Sequence, residues 1–103
     1  MNENWLEIAN LNDLIINEGK AIRVNNLSIA LFRLPDDQVY AIENSCPHIG
    51  APLDSGIVEN KTITCLWHSW CFSLIDGYST NCPNVKVQTY PTKIDKDKVF
   101  LLI

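Results

Sequence analysis

The sequence has few basic residues, no long hydrophobic run and no leader-like N-terminus, and each shortage excludes a class of protein. Eight lysines and arginines stand against twelve acidic residues. Nucleic-acid binding needs a basic surface, so nucleic acid is not an expected partner. No apolar run approaches the ~18–20 residues of a membrane span, so no membrane partner is expected. Residues 1–11 lack the basic and apolar regions of a signal peptide, which predicts a cytoplasmic protein.

The chain is short and contains few cysteines. At 103 residues and 47% hydrophobic content, it is expected to form one globular domain. Four cysteines are present. In a reducing compartment, cysteines are more often metal ligands or free thiols than a disulfide framework.

Helix signals are weak, and strand signals dominate. Only residues 10–19 combine N-cap candidates, Asn12 and Asp13, with a short apolar run and a closing Gly19, which predicts one or two helical turns at most. The remaining segments are short β-rich stretches separated by turn residues, and they span 5–9, 20–26, 27–34, 38–44, 56–60, 61–65, 85–94 and 98–103. Many short strands at this spacing predict an all-β fold, either a sandwich or a small barrel.

Residue alternation and turn residues support these strands. Val39 and Ala41 are expected on one face of their strand, with Tyr40 and Ile42 on the other. Two pairs are predicted to form turns between strands: Asn25-Asn26 and Asn60-Lys61.

Both histidines of the chain stand close to a cysteine, in the patterns Cys46-x-His48 and Cys65-x-x-His68. Two sulfur and two nitrogen ligands could hold one tetrahedral zinc. Zinc sites usually pair like ligands two to four residues apart, however, and Cys-x-His leaves little slack. Two loops that each carry one cysteine and one histidine suit two inequivalent irons, as in a Rieske centre.

The motifs around these residues resemble those of Rieske-type ferredoxins of the soluble, low-potential, oxygenase-associated kind. "CPHIGAPLDSG" (46–56) and "CLWHSWCFSLIDG" (65–77) look like the two ligand boxes, and residues 81–103 look like the closing loop and hairpin. The resemblance implies one 2Fe–2S cluster. It also implies a Rieske fold, with an antiparallel base domain of residues 1–43 and 79–103 and an inserted cluster-binding subdomain of about 44–78.

The resemblance also implies a role for individual residues. Cys46 and Cys65 would bind the inner iron, and His48 and His68 would bind the outer iron near the surface. In the second box, Ser69 stands where the family usually has glycine.

Several neighbours of these ligands carry further expectations. Gly50 would permit a turn that brings backbone N–H groups toward the cluster. Trp67 and Trp70 would shield the cluster from water, or serve as ordinary core residues. Pro83 would stiffen a third loop over the cluster.

The two remaining cysteines match no ligand position of the family. Cys71 is expected to be a small buried hydrophobic residue, and Cys82 a free thiol. A disulfide between Cys71 and Cys82 is the alternative that a reducing compartment disfavours.

The two boxes together also predict the redox potential. High-potential relatives carry loop-bridging cysteines where this chain has Ala51 and Trp67, and hydroxyl-bearing residues where it has Trp70 and Phe72. Fewer hydrogen bonds to the sulfurs stabilise the reduced state less. We therefore expect a potential near ~−150 mV rather than ~+300 mV.

Together these features predict an electron-transfer protein and not an enzyme in its own right. It would pass single electrons from a flavin-dependent ferredoxin reductase to a terminal oxygenase or similar redox enzyme, with transient docking at the face of His48 and His68. One alternative is the small Rieske subunit of a nitrite reductase. Another, of a different class, is a zinc-stabilised structural or interaction module.

Overall fold

The computed structural model of the chain describes residues 4–47, 50–66, 70–81 and 84–102. Within these ranges, the strands form three antiparallel sheets. The strands are β1 (Trp5–Asn10), β2 (Gly19–Val24), β3 (Leu27–Arg33), β4 (Val39–Glu43), β5 (Ile57–Glu59), β6 (Thr62–Thr64), β7 (Cys71–Ser73), β8 (Thr89–Tyr90), β9 (Thr92–Asp95) and β10 (Lys98–Leu102). None of the helices in these ranges is long and apolar enough to cross a membrane. The all-β prediction is confirmed.

A central four-stranded sheet, sheet B, has the order β2-β3-β4-β8 and separates two hydrophobic cores. Side chains alternate across a strand, so the strands at its centre contribute to both cores. On β4, Val39 and Ala41 belong to one core, whereas Ile42 belongs to the other with Tyr40 packed against it. The alternation predicted for this strand is therefore confirmed.

Sheet A, with the order β1-β10-β9, covers the first of these cores, which we call core A. Val99 and Leu101 of β10 are completely buried there. Leu11 and Leu14, from the segment after β1, join the same core. In core A, the first and last strands of the chain therefore pack against the central sheet.

Sheet C, with the order β5-β6-β7, contributes to the second core, which we call core C. Ile63 of β6 and Phe72 of β7 are completely buried in it, beside Phe32 of β3. Cys46 and Cys65 belong to the same core. Core C therefore connects the central sheet to the two loops that carry the predicted ligands.

The predicted inter-strand turns are present. Asn25 and Asn26 have φ values of 50° and 69°, and they join β2 to β3. Asn60 and Lys61 have φ values of 50° and 62°, and they join β5 to β6. Two consecutive positive φ values give a hairpin turn whose twist matches that of its strands.

The segment predicted as a short helix is a single 3-10 turn at Leu11–Asp13. Its N-cap is Asn10, not Asn12 or Asp13, and Gly19 begins β2 instead of ending a helix. The guanidinium of Arg33 donates hydrogen bonds to the carbonyl oxygens of Leu11 and Leu14, each at 3.2 Å. An arginine distant in sequence thus satisfies carbonyls that a longer helix would have bonded itself.

The stretch 85–94, predicted as one strand, is two short strands in different sheets. β8 pairs with β4 in sheet B, and β9 pairs with β10 in sheet A. Pro91 lies between them and has no N–H for a ladder. The proline therefore marks the point where the chain passes from one sheet to the other.

Candidate metal centre

The first predicted ligand loop follows β4 and closes on itself through its backbone. The N–H of Cys46 donates to the carbonyl oxygen of Ala51 at 2.8 Å, and the N–H of Gly50 donates to the carbonyl oxygen of Cys46 at 2.7 Å. Gly50 has a φ of 75°, so the predicted need for a permissive turn residue is confirmed. His48 lies outside the described residues, and its ligand role stays a prediction.

The second predicted ligand loop joins β6 to β7. The N–H of Cys65 donates to the carbonyl oxygen of Trp70 at 2.8 Å, which closes the loop at its base. Leu66, the residue after Cys65, is 58% exposed. Trp67, His68 and Ser69 lie outside the described residues, so the predictions made for them stay predictions.

The structure brings the two predicted cysteine ligands into one core. Cys46 is 0% exposed and Cys65 is 1% exposed, and both belong to core C. Each stands at the start of its own loop, next to the hydrogen bond that closes that loop. This arrangement fits the chemistry of an iron–sulfur cluster, because a thiolate held away from water is stabilised when it binds a cation.

Two aromatic side chains pack in the core that contains Cys65. Trp70 is half-buried and packs against core C, and its ring centroid is 6.4 Å from that of the fully buried Phe72. Neither side chain carries a hydroxyl group that could donate to a sulfur. This agrees with the expectation that these positions do not raise the redox potential, and the potential itself stays a prediction.

Cys71 differs from its prediction. It lies on β7, as its strand-like surroundings indicated, but it is half-buried and is a free thiol. Its sulfur is 2.8 Å from the hydroxyl oxygen of Thr64 on β6. Alternation explains the difference, because Phe72 occupies the core face of this three-residue strand and leaves Cys71 on the opposite face. Cys82 lies outside the described residues.

A third loop is attached to the edge strand β7. The N–H of Thr80 donates to the carbonyl oxygen of Cys71 at 2.9 Å, and the side-chain oxygen of Asn81 accepts the N–H of Cys71 at 3.2 Å. The N–H of Ser79 donates to the carbonyl oxygen of Val85 at 2.8 Å. The loop therefore starts and ends close to sheet C, while Pro83, predicted to cover the cluster, lies outside the described residues.

The electrostatics of the region are simple. Among the described residues, no polar or charged side chain is fully buried. Burial raises the pKa of Tyr90 above 10, and the nearby Glu43 carboxylate adds to this effect. Tyr90 lies on β8 and pairs with Ala41 of β4, so it belongs to the central sheet and not to a ligand loop.

Comparison with known proteins agrees with the site. The sequence profile of the Rieske 2Fe–2S domain matches residues 4–91. The chain belongs to the Rieske family. A Rieske domain binds a 2Fe–2S cluster, so the predicted family and cofactor are confirmed.

Individual relatives of this Rieske protein include separate electron carriers. It is 32% identical to the ferredoxin component of the naphthalene 1,2-dioxygenase/salicylate 5-hydroxylase systems of Ralstonia sp., over 98% of this chain and 97% of the relative. The ferredoxin of carbazole 1,9a-dioxygenase from Nocardioides aromaticivorans IC177 superposes with a TM-score of 0.86 at 29% identity, over 94% of this chain and 95% of that one. The prediction of an electron carrier, not a catalytic enzyme, is confirmed by this likeness.

Another solved structure has a different description. It is provisionally described as the small subunit of an NADH-dependent nitrite reductase from Mycobacterium tuberculosis. It superposes with a TM-score of 0.92 at 25% identity, and the match covers 100% of this chain and 97% of that one. The overall Rieske fold is therefore shared by both kinds of relative.

Sequence reasoning gave no role to Asn44, the residue two positions before Cys46. Its side chain hydrogen-bonds residues at the far end of the first loop. The available signal was an asparagine just after a strand, which favours a side-chain turn contact. That signal does not reveal which backbone groups the side chain reaches.

Proposed function

We propose that this Rieske protein carries single electrons from a flavin-dependent ferredoxin reductase to a terminal oxygenase. Its likeness to the naphthalene dioxygenase ferredoxin component extends over nearly the whole of both chains. The observation that carries the proposal is the placement of Cys46 and Cys65, from separate loops, in one dry core. Bound there, a 2Fe–2S cluster supplies one-electron redox chemistry.

The ligand set we propose is Cys46 and Cys65 for the inner iron and His48 and His68 for the outer iron. The depth of both cysteines supports the first half of this set. The two histidine positions follow from the spacing of the two motifs. The surrounding protein keeps both cysteines away from water, and the side chains of Trp70 and Phe72 carry no hydroxyl that could donate to a sulfur.

We propose that the cluster-binding unit spans about residues 44–78, with the base built from 1–43 and 79–103. All of sheet C and both ligand loops lie between these limits, which supports the division. Core C nevertheless contains residues from both parts, including Phe32 and Val87 of the base. The two parts should therefore unfold together.

The docking face we propose is the end of the molecule formed by the two ligand loops, around His48 and His68. The exposed side chain of Leu66 supports it, because an apolar residue on this loop offers contact area to a partner. Electron-transfer encounters are small and transient, so no stable complex with the oxygenase is expected. We place this exchange in the cytoplasm, where the free thiol of Cys71 would stay reduced.

The proposal is tested by replacing the native ferredoxin of a naphthalene dioxygenase system with this protein. Anaerobic addition of half an equivalent of NADH and a catalytic amount of the system's reductase should bleach the visible absorption of the cluster, and subsequent addition of the oxygenase with naphthalene and O2 should reoxidise it faster than O2 alone does. The control is a Cys65→Ala variant, which lacks a ligand atom at this position and should show no cluster absorption to bleach. A loaded wild-type protein that neither the reductase reduces nor the oxygenase reoxidises would contradict the proposed path.

The small subunit of a nitrite reductase is a second candidate, favoured by the full-length superposition on the Mycobacterium tuberculosis protein. A subunit of this kind would form a stable assembly with a larger catalytic chain, whereas a ferredoxin would be purified alone. Size-exclusion chromatography of the protein isolated from its native cells separates the two. Co-elution with a large subunit would favour the nitrite reductase.

A further inference from the structure

Asn44 is fixed to the central sheet at the point where the chain enters the first ligand loop. It follows β4 directly and stands two residues before Cys46. Its backbone N–H donates to the carbonyl oxygen of Ser28 on β3 at 2.9 Å. The start of the loop is therefore tied to the interior of sheet B.

The side chain of Asn44 holds the far end of the same loop. Its Oδ1 accepts the backbone N–H groups of Leu53 and Asp54, at 2.7 and 2.8 Å. Its Nδ2 donates to Oδ1 of Asp54 at 3.0 Å, with a longer contact of 3.4 Å to the hydroxyl oxygen of Ser28. Two converging N–H donors require the oxygen at that position, so the orientation of the amide is determined.

Asp54, which the side chain of Asn44 contacts, is also held in place by β2. Gly19 of β2 lies so close to Asp54 that an added Cβ would overlap the backbone of Asp54. Leu53, next to it, is completely buried in core C. Both ends of the loop are thus attached to sheet B, and residues 45–52 span the interval between them.

We propose that Asn44 is a positioning residue for the iron–sulfur cluster. It holds the loop of Cys46 and His48 in the closed shape that the cluster requires, and it touches neither iron nor sulfur itself. This inference rests on the proposed ligation by the first loop. Without the amide, the buried N–H of Leu53 would lose its acceptor, and the loop would open more often.

The pair Asn44 and Asp54 allows a donor–acceptor exchange. In Asn44→Asp, the hydrogen bonds from the N–H groups of Leu53 and Asp54 can persist. The amide nitrogen that donated to Asp54 is replaced by a carboxylate oxygen, which lies about 3 Å from the carboxylate oxygen of Asp54 and repels it. In Asp54→Asn, an acceptor oxygen is still available to Asn44. In the double exchange, Asn44→Asp with Asp54→Asn, one donor and one acceptor face each other again. The hydroxyl of Ser28 can rotate to donate to the new carboxylate.

The experiment compares loss of the cluster from the full-length loaded protein in excess EDTA, followed by its visible absorption. Asn44→Asp should lose the cluster about tenfold faster than wild type, and the double exchange should return to within about threefold. Asp54→Asn keeps an acceptor for Asn44 and should also stay within about threefold of wild type. Asn12→Ala is the matched control, since Asn12 is exposed and distant in sequence from both ligand loops, and it should not differ from wild type.

Two further readouts separate positioning from a general structural role. The EPR lines of the reduced cluster should broaden in Asn44→Asp and sharpen again in the double exchange, while the far-ultraviolet circular dichroism stays unchanged throughout. If Asn44→Asp cannot be purified with its cluster bound, the iron content of the double variant is the test of the proposal. Iron equal to wild type supports the proposal, and no iron overturns it.

The inference is overturned if Asn44→Asp retains its cluster as long as wild type does, or if the double exchange is no slower than the single variant. The proposed function fails separately. A wild-type protein that holds no iron and sulfide contradicts the ligand set, whatever the Asn44 variants do.

Discussion

Two glycines in and beside the ligand-bearing region, Gly50 and Gly77, allow backbone strain to be separated from steric overlap. Their φ values are 75° and 81°, in the left-handed region that disfavours most side chains. At Gly50, the nearest atom to an added Cβ among the described residues beyond its chain neighbours is Oγ of Ser45 at 3.8 Å, an ordinary contact. At Gly77, an added Cβ would overlap the carbonyl oxygen of Val87. Alanine therefore causes strain alone at the first position and strain with overlap at the second.

Asparagine distinguishes these two costs, because it tolerates left-handed backbone but still has a Cβ. The chain uses it in this conformation at Asn17, Asn25, Asn26, Asn60 and Asn84. Gly50→Ala should lower the free energy of unfolding by about 1–2 kcal/mol, and Gly50→Asn by about half as much or less. Gly77→Ala should lower it by about 2–5 kcal/mol and Gly77→Asn by about 1–4 kcal/mol, because overlap with backbone adds about 1–3 kcal/mol to the strain at each.

The assay is urea unfolding of the loaded protein, with circular dichroism and cluster absorption followed in the same samples. For a domain of this size, the Gly50→Ala cost corresponds to a fall in Tm of roughly 5–10 °C, which gives a second measure. The reasoning is refuted if Gly50→Asn is destabilised as strongly as Gly50→Ala. It is also refuted if asparagine restores stability at Gly77.

Two other predictions concern the redox potential and alkaline stability. Phe72→Tyr introduces a hydroxyl into the core that contains Cys65. A hydrogen bond from this hydroxyl to a sulfur should stabilise the reduced cluster over the oxidised one by about 1.4 kcal/mol, which raises the midpoint potential by about 60 mV. An unchanged potential in a fully loaded variant would contradict this prediction. The raised pKa of Tyr90 means that the unfolded chain releases this proton first, so stability should fall as pH rises above about 10. Tyr90→Phe should flatten that fall in urea titrations at alkaline pH, and an equally steep decline in the variant would contradict the assignment.

The parts of the fold that follow local rules could be predicted from the sequence. Strand alternation predicted that Val39 and Ala41 share one core and that Ile42 lies in the other, because side chains on a strand repeat their direction every two residues. The Asn25-Asn26 turn followed from the tolerance of asparagine for positive φ.

The parts that depend on distant neighbours could not be predicted. Arg33, far along the chain, donates hydrogen bonds to the carbonyl oxygens of Leu11 and Leu14 at the short turn, and local sequence rules do not reveal this contact. Pro91 separates β8, which pairs with β4, from β9, which pairs with β10. Sequence alone did not show which sheet each half would join.

The candidate site shows the same limit. The resemblance implies that Cys46 and Cys65 bind the inner iron; both are buried, and their ligand role stays a prediction. The half-buried position of Cys71 was missed, because the face of a three-residue strand is set by its neighbour Phe72. The contact between Asn44 and Asp54 was missed because it crosses the loop.

The most direct test of the central claim is one spectroscopic and analytical experiment on the purified protein. Iron, sulfide and zinc are quantified on a single sample, and visible and EPR spectra are recorded before and after reduction with dithionite. A coloured protein with two irons per chain, and a rhombic EPR signal that averages below the free-electron g value, is the predicted result. A colourless protein with one zinc per chain would contradict it, since the same cysteines and histidines would then serve structure alone.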